Sequence, residues 1–401
     1  MQIGFARSAL VLGLLCCIGP FAIDMYLPAM PAIAADLGSD VAQVQATLSA
    51  YFLAFGLAQL VYGPLADMWG RKPPLYAGLA LFLLGSVGCT LASSIEWLIA
   101  ARFVQGAGGA AVMVIPRAIV RDLHTGPQAT RLMALVMLVI SVSPMLAPLA
   151  GSGLVALSGW RAVFATMAGA TVVSFLVTAL ALPETLRPEN REPVDIGHLL
   201  RGARLLLASP SFMGLTFIGG FAMASFFVFL ATASFVYTGH YGLTPTQFSV
   251  AFALNAIGFF AASQFAANLG ERFGMGRTVL VATGGFALFA LALLAATMLA
   301  EPSLPFLIAM LFMGNACLGL VIPTAMVMAL DDHGDMAGLA SSLGGTLQML
   351  AGAAMIALAG PFLDGTPRPM VTAIAVCAVL ALAVAITTLR PRPAASPSAA
   401  E

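Results

Sequence analysis

Residues 63–73 read GPLADMWGRKP, a short charged loop between two apolar stretches. This loop is the most specific indication of the fold. A similar segment recurs 204 residues later, at residues 267–274, which read ANLGERFG. The matching pairs are Leu65 with Leu269, Asp67 with Glu271 and Gly70 with Gly274. Gly70 permits a tight turn in the first copy, and Asp67 can meet Arg71 or a helix N-terminus. The recurrence indicates a chain built from two related halves in parallel order.

The composition is that of an integral membrane protein. The chain has 401 residues, of which 60% are hydrophobic and 8% charged, and its mean hydropathy is +0.99. Soluble domains carry about 25% charged residues, whereas apolar stretches of about 20 residues can span a bilayer as helices. Twelve such spans are predicted, at about 8–31, 43–65, 74–93, 96–118, 131–155, 161–182, 211–235, 246–268, 277–299, 304–329, 337–360 and 369–389.

The hydrophilic stretch from Glu184 to Ser209 divides the predicted spans six and six. The predicted organisation is therefore all-α, with an N-terminal six-helix half, a cytoplasmic linker, a C-terminal six-helix half and a disordered tail rich in Pro, Ala and Ser. The N-terminal half is 1–183, the linker 184–209, the C-terminal half 210–390 and the tail 391–401.

Basic residues indicate the orientation of the spans. With the N-terminus inside, only Arg161 and Arg368 fall on the outer side, and Arg102 lies within a span. An excess of Lys and Arg marks cytoplasmic segments, so both termini are predicted to be cytoplasmic. The other fourteen of the seventeen basic residues are Arg7, Arg71, Lys72, Arg117, Arg121, Arg131, Arg187, Arg191, Arg201, Arg204, Arg272, Arg277, Arg390 and Arg392.

Asp24 is a lone acid in the first predicted span, after an uncharged run from Ser8 to Ile23. An acid at the centre of a membrane helix costs about 2.5–3.5 kcal/mol, so such residues usually face a cavity and have a function. Because no other predicted span carries an acid near its middle, Asp24 is the candidate proton or substrate site. Asp24, Pro28 and Pro31 interrupt the apolar run, which favours a retained first helix over a cleaved signal peptide.

Arg102 is the matching cation, at the start of the run 102–110, RFVQGAGGA. The small residues Gly106 and Gly109 would let a neighbouring helix pack closely. Asp24 and Arg102 are both predicted about 10–15 Å below the outer surface, so a direct or water-bridged pair can form. Arginine favours the charged carboxylate and burial favours the neutral acid, so opening of a cavity can change the balance. The alternative is that Arg102 snorkels to the outer interface.

Five segments carry a resemblance to a known family, and in one of them, residues 143–153, the match is imperfect. Residues 63–73 resemble the loop signature of the major facilitator superfamily, and residues 102–110 resemble a motif of its twelve-helix drug:proton antiporters. Residues 24–31, DMYLPAMP, resemble the signature of the Bcr/CflA branch of bicyclomycin- and chloramphenicol-type resistance exporters, and 183–186, PETL, resemble a further antiporter feature. The resemblance implies the major facilitator fold, with twelve spans in two six-helix halves.

The resemblance implies a cytoplasmic gate in the loop 63–73, closing against the start of span eleven near 337–341. A simple charged turn that sets topology is the alternative interpretation. The predicted gate residues are Gly63, Asp67, Gly70, Arg71 and Glu271.

Residues 143–153, SPMLAPLAGSG, resemble the proline motif of antiporters imperfectly, because Ser143 and Ala147 precede the prolines and Ser152 replaces a glycine. Two prolines four residues apart disturb a helix. Either a hinge or a static kink is predicted here, with Pro144, Pro148 and Gly151 as the hinge residues.

A central cavity is predicted to be charged on one side and aromatic on the other, as suits hydrophobic compounds with a few polar groups. For any single aromatic ring, a position facing lipid or a neighbouring helix remains the alternative. The candidate lining residues are Tyr26, Tyr51, Phe55, Gln59 and Met113 in the first half and Phe226, Asn255, Asn315 and Gln348 in the second.

The expected function is proton-coupled efflux of small amphipathic drugs by alternating access in a bacterial inner membrane. A metabolite exporter, for example of amino acids, an uptake carrier and a non-transporting receptor remain alternatives. An intramembrane enzyme is not expected, because no paired acids, histidine cluster or Ser/Lys dyad lies in the spans. No cofactor, metal or nucleic acid is expected; the proton gradient would supply the energy, and the protein is expected to be monomeric.

Overall fold

The computed structural model describes residues 4–124, 126–191, 195–331, 333 and 336–389. All regular structure in those residues is helical, and twelve helical stretches are long and apolar enough to cross a membrane. The predicted all-α class and the number of spans are confirmed. The predicted tail, 391–401, and Arg390 lie outside the described residues.

The N-terminal half contains the first six spans. Its helices are α1 (Phe5–Asp24), a 3₁₀ turn (Leu27–Ala29), α2 (Met30–Leu37), α3 (Val41–Trp69), α4 (Lys72–Thr90), α5 (Ile95–Leu123), α6 (Gly126–Ser158) and α7 (Arg161–Ala181).

The predicted linker contains a short 3₁₀ turn (Pro188–Asn190) and an amphipathic helix, α8 (Ile196–Ala208). The C-terminal half follows. Its helices are α9 (Pro210–Ser234) with a π-helical extension (Phe235–His240), α10 (Pro245–Ser263), α11 (Ala266–Phe273), α12 (Met275–Leu299), α13 (Leu304–Asp331), α14 (Ala337–Ala359) with a 3₁₀ turn (Gly360–Phe362), and α15 (Pro367–Thr388).

The first span is broken, whereas an uninterrupted helix over 8–31 was predicted. It extends from Phe5 to Leu37, and α1 ends at Asp24. The reason is local: Pro28 has no N–H to donate to the carbonyl of Asp24, and its ring clashes with that carbonyl in a continuous helix. Asp24 therefore lies at a helix end rather than inside a helix.

Hydrogen bonds show which span ends lie together. Arg7 donates to the carbonyl of Leu180, and Lys72 donates to the carbonyl of Leu182. We call this the basic end of the bundle. At the opposite end, Arg161 donates to Asp36 at 2.7 Å and to the carbonyl of Ala92 at 2.8 Å.

Small residues bring α5 against α3 and α4, as the glycine spacing predicted. A Cβ on Gly106 would lie 2.3 Å from the carbonyl oxygen of Tyr51, and one on Gly108 would lie 2.3 Å from the backbone nitrogen of Phe82. No side chain can be added at such distances without moving backbone. The helices that carry the candidate site are therefore in direct backbone contact.

The described hydrogen bonds between the halves extend from the opposite end to the middle of the bundle. Gln45 donates to the carbonyl of Ala231, and Ser249 to that of Pro148. Nearer the middle, Thr346 of α14 donates to the carbonyl of Gly56 at 2.7 Å. In the part of the chain that the structure describes, the halves are joined at the end away from the basic end.

Candidate functional site

Asp24 is buried, with 5% of its surface exposed, and no described hydrogen bond or ion pair involves its carboxylate. It is the last residue of α1, where the helix dipole is negative and disfavours a second negative charge. Burial of an unpaired carboxylate is very costly, so this conformation favours the neutral acid. Asp24 can therefore take up or release one proton, and the charge of its carboxylate strongly affects the energy of this conformation.

Arg102 is completely buried, so the alternative in which it snorkels to the interface is wrong. One terminal nitrogen donates to the carbonyl of Ala22 at 3.2 Å and to Oε1 of Gln105 at 2.6 Å. Gln105 donates in turn to Ser86 at 2.8 Å. The Nε and Nη2 atoms of Arg102 have no hydrogen-bond partner.

Aromatic rings surround this guanidinium. Its central carbon lies 4.6 Å from the ring centre of Tyr26, 4.4 Å from that of Tyr51 and 5.8 Å from that of Phe164. Cation–π contacts of this kind contribute about 2 kcal/mol or more when they are desolvated. The rings stabilise the buried charge in place of a carboxylate.

The direct pair between Asp24 and Arg102 is not formed in this conformation. Arg102 instead binds the carbonyl of Ala22, two residues before Asp24. The Tyr51 phenol lies close enough to interact electrostatically with both groups. The break after Asp24 turns the chain away, so similar depth in the membrane did not ensure contact.

The other candidate residues of the N-terminal half lie around this pair. The hydroxyls of Tyr26 and Thr47 are 2.6 Å apart, and the rings of Tyr51 and Phe55 stack at 6.0 Å. Gln59 and Met113 are half-buried further toward the basic end.

In this region Gln59 lies against Gly345 of α14, so it contacts the other half. Met113 packs against Gly19 of α1, with its Cγ 3.5 Å from the position of a Cβ there. Gln59 thus lies between the halves, whereas Met113 lies on the face of α5 that meets α1.

The candidate residues of the C-terminal half form separate contacts. Asn315 donates to Asn255 at 3.3 Å and lines a small pocket within this half. Phe226 stacks on Phe259 at 5.6 Å, and Nε2 of Gln348 has no hydrogen-bond partner.

One aromatic pair connects the two halves. The rings of Phe52 and Phe227 are parallel, with centres 3.8 Å apart. The structure therefore places the charged cluster in the N-terminal half and the polar and aromatic contacts in the C-terminal half, and the Phe52–Phe227 pair joins the halves.

The predicted hinge lies in an unbroken helix, since α6 continues through Pro144 and Pro148. The carbonyl of Pro148 accepts a hydrogen bond from Ser249 of the other half at 2.9 Å. A Cβ on Gly151 would lie 2.2 Å from the carbonyl oxygen of Met25. Gly151 therefore allows α6 to contact the turn that follows Asp24.

Arg71 is the centre of an ion-pair network at the basic end. It binds Asp67 at 2.5 Å, as predicted, and Asp122 at 2.7 Å. Burial lowers the pKa of Arg71, but the hydrogen bonds to Asp122 and Asp67 outweigh burial and raise its pKa above the ordinary value. Gly70 has a positive φ of 94°, which the predicted tight turn requires.

Glu184 completes the network from the other side. Its carboxylate accepts from the backbone N–H groups of Arg71 at 2.8 Å and Lys72 at 3.0 Å, at the start of α4. A carboxylate is stabilised at a helix N-terminus. The described hydrogen bonds of this loop thus go to its own half and to the first residue of the linker.

The start of span eleven, predicted as the partner of this loop, packs elsewhere. Leu339 of α14 meets Gly202 of α8, with its Cδ2 2.7 Å from the position of a Cβ on that glycine. Gly63 has open space around it, and Glu271 is exposed at the basic end. No described hydrogen bond or ion pair joins the loop 63–73 to the start of α14.

Asp122, Glu184 and Gln105 contribute to these clusters but were not predicted as site residues. Glu184 belongs to the PETL segment, whose resemblance indicated relevance without a role. Asp122 follows Arg121 at the end of α5, where an acid next to basic residues is a weak signal. Asp122 and Glu184 bind Arg71 across long stretches of sequence, so only the packed structure shows those contacts, whereas Gln105 is one helical turn from Arg102.

Arg71→Gln is expected to lower the free energy of unfolding by about 2–3 kcal/mol, because it leaves Asp122 as a mostly buried, unpaired charge. Asp67→Asn is the matched control, with an expected loss below about 1 kcal/mol, because 58% of the Asp67 side chain is exposed. Unfolding in mixed detergent micelles measures both. Equal losses in the two variants would contradict the assigned importance of Asp122.

Comparisons with known proteins agree with this arrangement. A sequence profile of the Major Facilitator Superfamily matches residues 12–356 and 239–400. The chain is 35% identical to the uncharacterized MFS-type transporter YdgK of Bacillus subtilis, over 93% of this chain and 92% of that protein. It is 31% identical to a bicyclomycin resistance protein homolog of Haemophilus influenzae, over 93% of this chain and 94% of that protein. The fold is also similar to that of a D-xylose–proton symporter, with a TM-score of 0.74 and 13% identity over 97% of this chain and 98% of that chain.

Proposed function

The chain belongs to the Major Facilitator Superfamily, in the Bcr/CflA branch of its drug:proton antiporters, and on this premise we propose that it exports amphipathic drug-like compounds in exchange for protons. The family consists of transporters rather than enzymes. The observation that carries the proposal is Asp24, the single acid in the interior of the described spans, buried without a partner. Relatives named for resistance to bicyclomycin and chloramphenicol support drug-like substrates.

Proton transfer in this proposal uses Asp24 and Arg102. A proton from the outer side joins a carboxylate oxygen of Asp24 and later leaves to water on the cytoplasmic side. When Asp24 is ionised, the unpartnered Nε and Nη2 groups of Arg102 can donate to it. Substrate binding then alternates with protonation, which couples the two fluxes.

Alternating access would follow from movement of the two halves about the site. The contacts of Gln45, Ser249 and Phe52 close the end away from the basic end, as a cytoplasm-facing state requires. We place the basic end and both termini in the cytoplasm of a bacterial inner membrane, because Lys and Arg concentrate there. In the opposite state, the loop 63–73 would form the cytoplasmic gate with the start of α14.

Transport by reconstituted protein tests this function. In proteoliposomes with a pH gradient, radiolabelled chloramphenicol is expected to accumulate in the acidic compartment, and addition of drug should release protons from that compartment. Nigericin, which collapses the gradient, should abolish both effects. Accumulation in the alkaline compartment would indicate an uptake carrier, and binding without accumulation would indicate a receptor. Movement of amino acids but not drugs would indicate a metabolite exporter.

A further inference from the structure

Arg117 lies six residues from the end of α5, and it is exposed although it lies on the inward face of this helix. With about 100° between successive residues, Arg102, Gly106, Met113 and Arg117 fall within about 60° of one another. Gly106 faces the backbone of α3, and Met113 faces Gly19 of α1. Arg117 therefore points toward α1 and α3 rather than toward lipid.

Exposure on an inward face requires open space beside it. Arg117 lies about 10 Å from the end of α5 at the basic end, and about 22 Å along the axis from Arg102. It lies near Cys16 of α1, which places it on the α1 side of the helix. The space around Arg117 is thus part of the opening between the halves at the basic end.

Among the residues that the structure describes, Arg117 has no counter-ion. No described hydrogen bond or ion pair involves its guanidinium, which is charged at every physiological pH. Asp122, the acid that follows on the same helix, binds Arg71. Every acid in the described spans other than Asp24 lies within a few residues of a span end: Asp36, Asp67, Glu96, Asp122, Glu271 and Asp331.

The equivalent helix of the C-terminal half, α13, which we call the sister helix, shows that the fold does not require arginine at this position. Residues 114–118 of α5 read VIPRA, and residues 321–325 of α13 read VIPTA. Thr324, at the position of Arg117, is buried and donates to the carbonyl of Leu320 at 2.7 Å within its own helix. A threonine thus suits an inward position one residue after the same proline. Packing of the fold therefore does not explain the arginine.

The arginine is also not needed to satisfy the backbone around the proline that precedes it. Pro116 cannot donate to the carbonyl of Val112, and Cys16 of α1 donates its thiol to that carbonyl at 3.6 Å. The backbone of this turn therefore has its partner from α1. A charged, unpaired side chain within a span is a functional-site candidate.

We propose that Arg117 is the entry subsite for the anionic group, a carboxylate or phosphate, of an amphipathic substrate that arrives from the basic end. This inference rests on the proposed function and specifies its substrate class. Met113 provides an apolar contact between Arg117 and the aromatic rings around Arg102. With two arginines and one acid, the inward faces favour anionic and neutral amphiphiles over lipophilic cations.

The test compares two probes of similar structure, neutral chloramphenicol and its anionic succinate ester. Binding is measured with purified protein in nanodiscs of zwitterionic phosphatidylcholine. Arg117→Thr, which copies the sister helix, is expected to weaken binding of the ester at least about tenfold, because it removes a charged hydrogen bond. Binding of chloramphenicol should change less than about twofold. Arg117→Lys should retain most of the affinity for the ester.

The outcomes separate this inference from the proposed function. Equal affinity of wild type and Arg117→Thr for the ester, or tighter binding of tetraphenylphosphonium than of the ester to wild type, overturns the inference. An effect of the variant that appears only in nanodiscs with phosphatidylglycerol assigns Arg117 to a lipid headgroup and also overturns it. Failure of chloramphenicol to bind wild type counts against the proposed function, while an Arg117-dependent affinity for the ester still supports the subsite.

Discussion

Asp24→Asn is expected to abolish drug accumulation driven by a pH gradient, while drug binding stays close to that of wild type. Asparagine has the size of the protonated acid and is neutral, so it fits the buried end of α1. It cannot release a proton, so the step that couples the two fluxes is lost. Accumulation in proteoliposomes, drug-induced proton release and drug–drug counterflow measure the effect, and counterflow should persist because it needs no net proton movement.

The matched control is Asp36→Asn, in the same span. Asp36 is half-exposed at the opposite end and binds Arg161 at 2.7 Å. Exposed ion pairs contribute about 0–1 kcal/mol, so this variant should transport normally and lose little stability. If Asp24→Asn still accumulates drug against its gradient and releases protons as wild type does, the role of Asp24 is wrong.

Gly151→Ala is expected to have the second-largest effect, on both stability and transport. The added Cβ would lie 2.2 Å from the carbonyl oxygen of Met25 and 2.9 Å from its Cα. These are backbone atoms, so either α6 or the turn after Asp24 must move. We expect a loss of about 1–3 kcal/mol in the free energy of unfolding and a large loss of transport, because the Asp24 carboxylate moves with that turn.

Gly153→Ala controls for this change two residues away in the same helix. A Cβ on Gly153 meets nothing within 4 Å. Alanine is favoured over glycine inside a helix by about 1 kcal/mol, so this variant should be as stable as wild type or more so. Thermal unfolding in detergent and transport assays compare the two variants. Normal unfolding and transport by Gly151→Ala would contradict the close contact at Met25.

Several contacts of the site could be predicted because they depend on short distances along the chain. Asp67 and Arg71 are one helical turn apart, so their ion pair follows from helical geometry. The small residue at Gly106 predicted a close helix approach, and it faces the carbonyl of Tyr51. The break of the first span was also encoded locally, in Pro28, although its effect on the position of Asp24 was not foreseen.

Other contacts could not be predicted, because they join distant parts of the chain. The depth estimate placed Asp24 and Arg102 at one level, yet Arg102 binds the carbonyl of Ala22, which lies 80 residues away in the sequence. Depth along a helix does not specify rotation about its axis, and the direction of the guanidinium depends on the surrounding rings. The partnership of Arg71 with Asp122 likewise required α4 and α5 to be packed.

The sequence by itself determined the membrane class, the twelve spans and the two related halves, because hydropathy, span length and the repeated loop at 63–73 and 267–274 are local patterns. It also identified Asp24, since a single acid among apolar residues is visible without a structure. The surroundings of that acid became visible once the helices were packed: aromatic rings around Arg102, a carboxylate with no partner among the described residues, and an exposed side chain at Arg117. The physical reason is that burial and pairing depend on how helices are rotated and how closely they approach, which long-range packing sets.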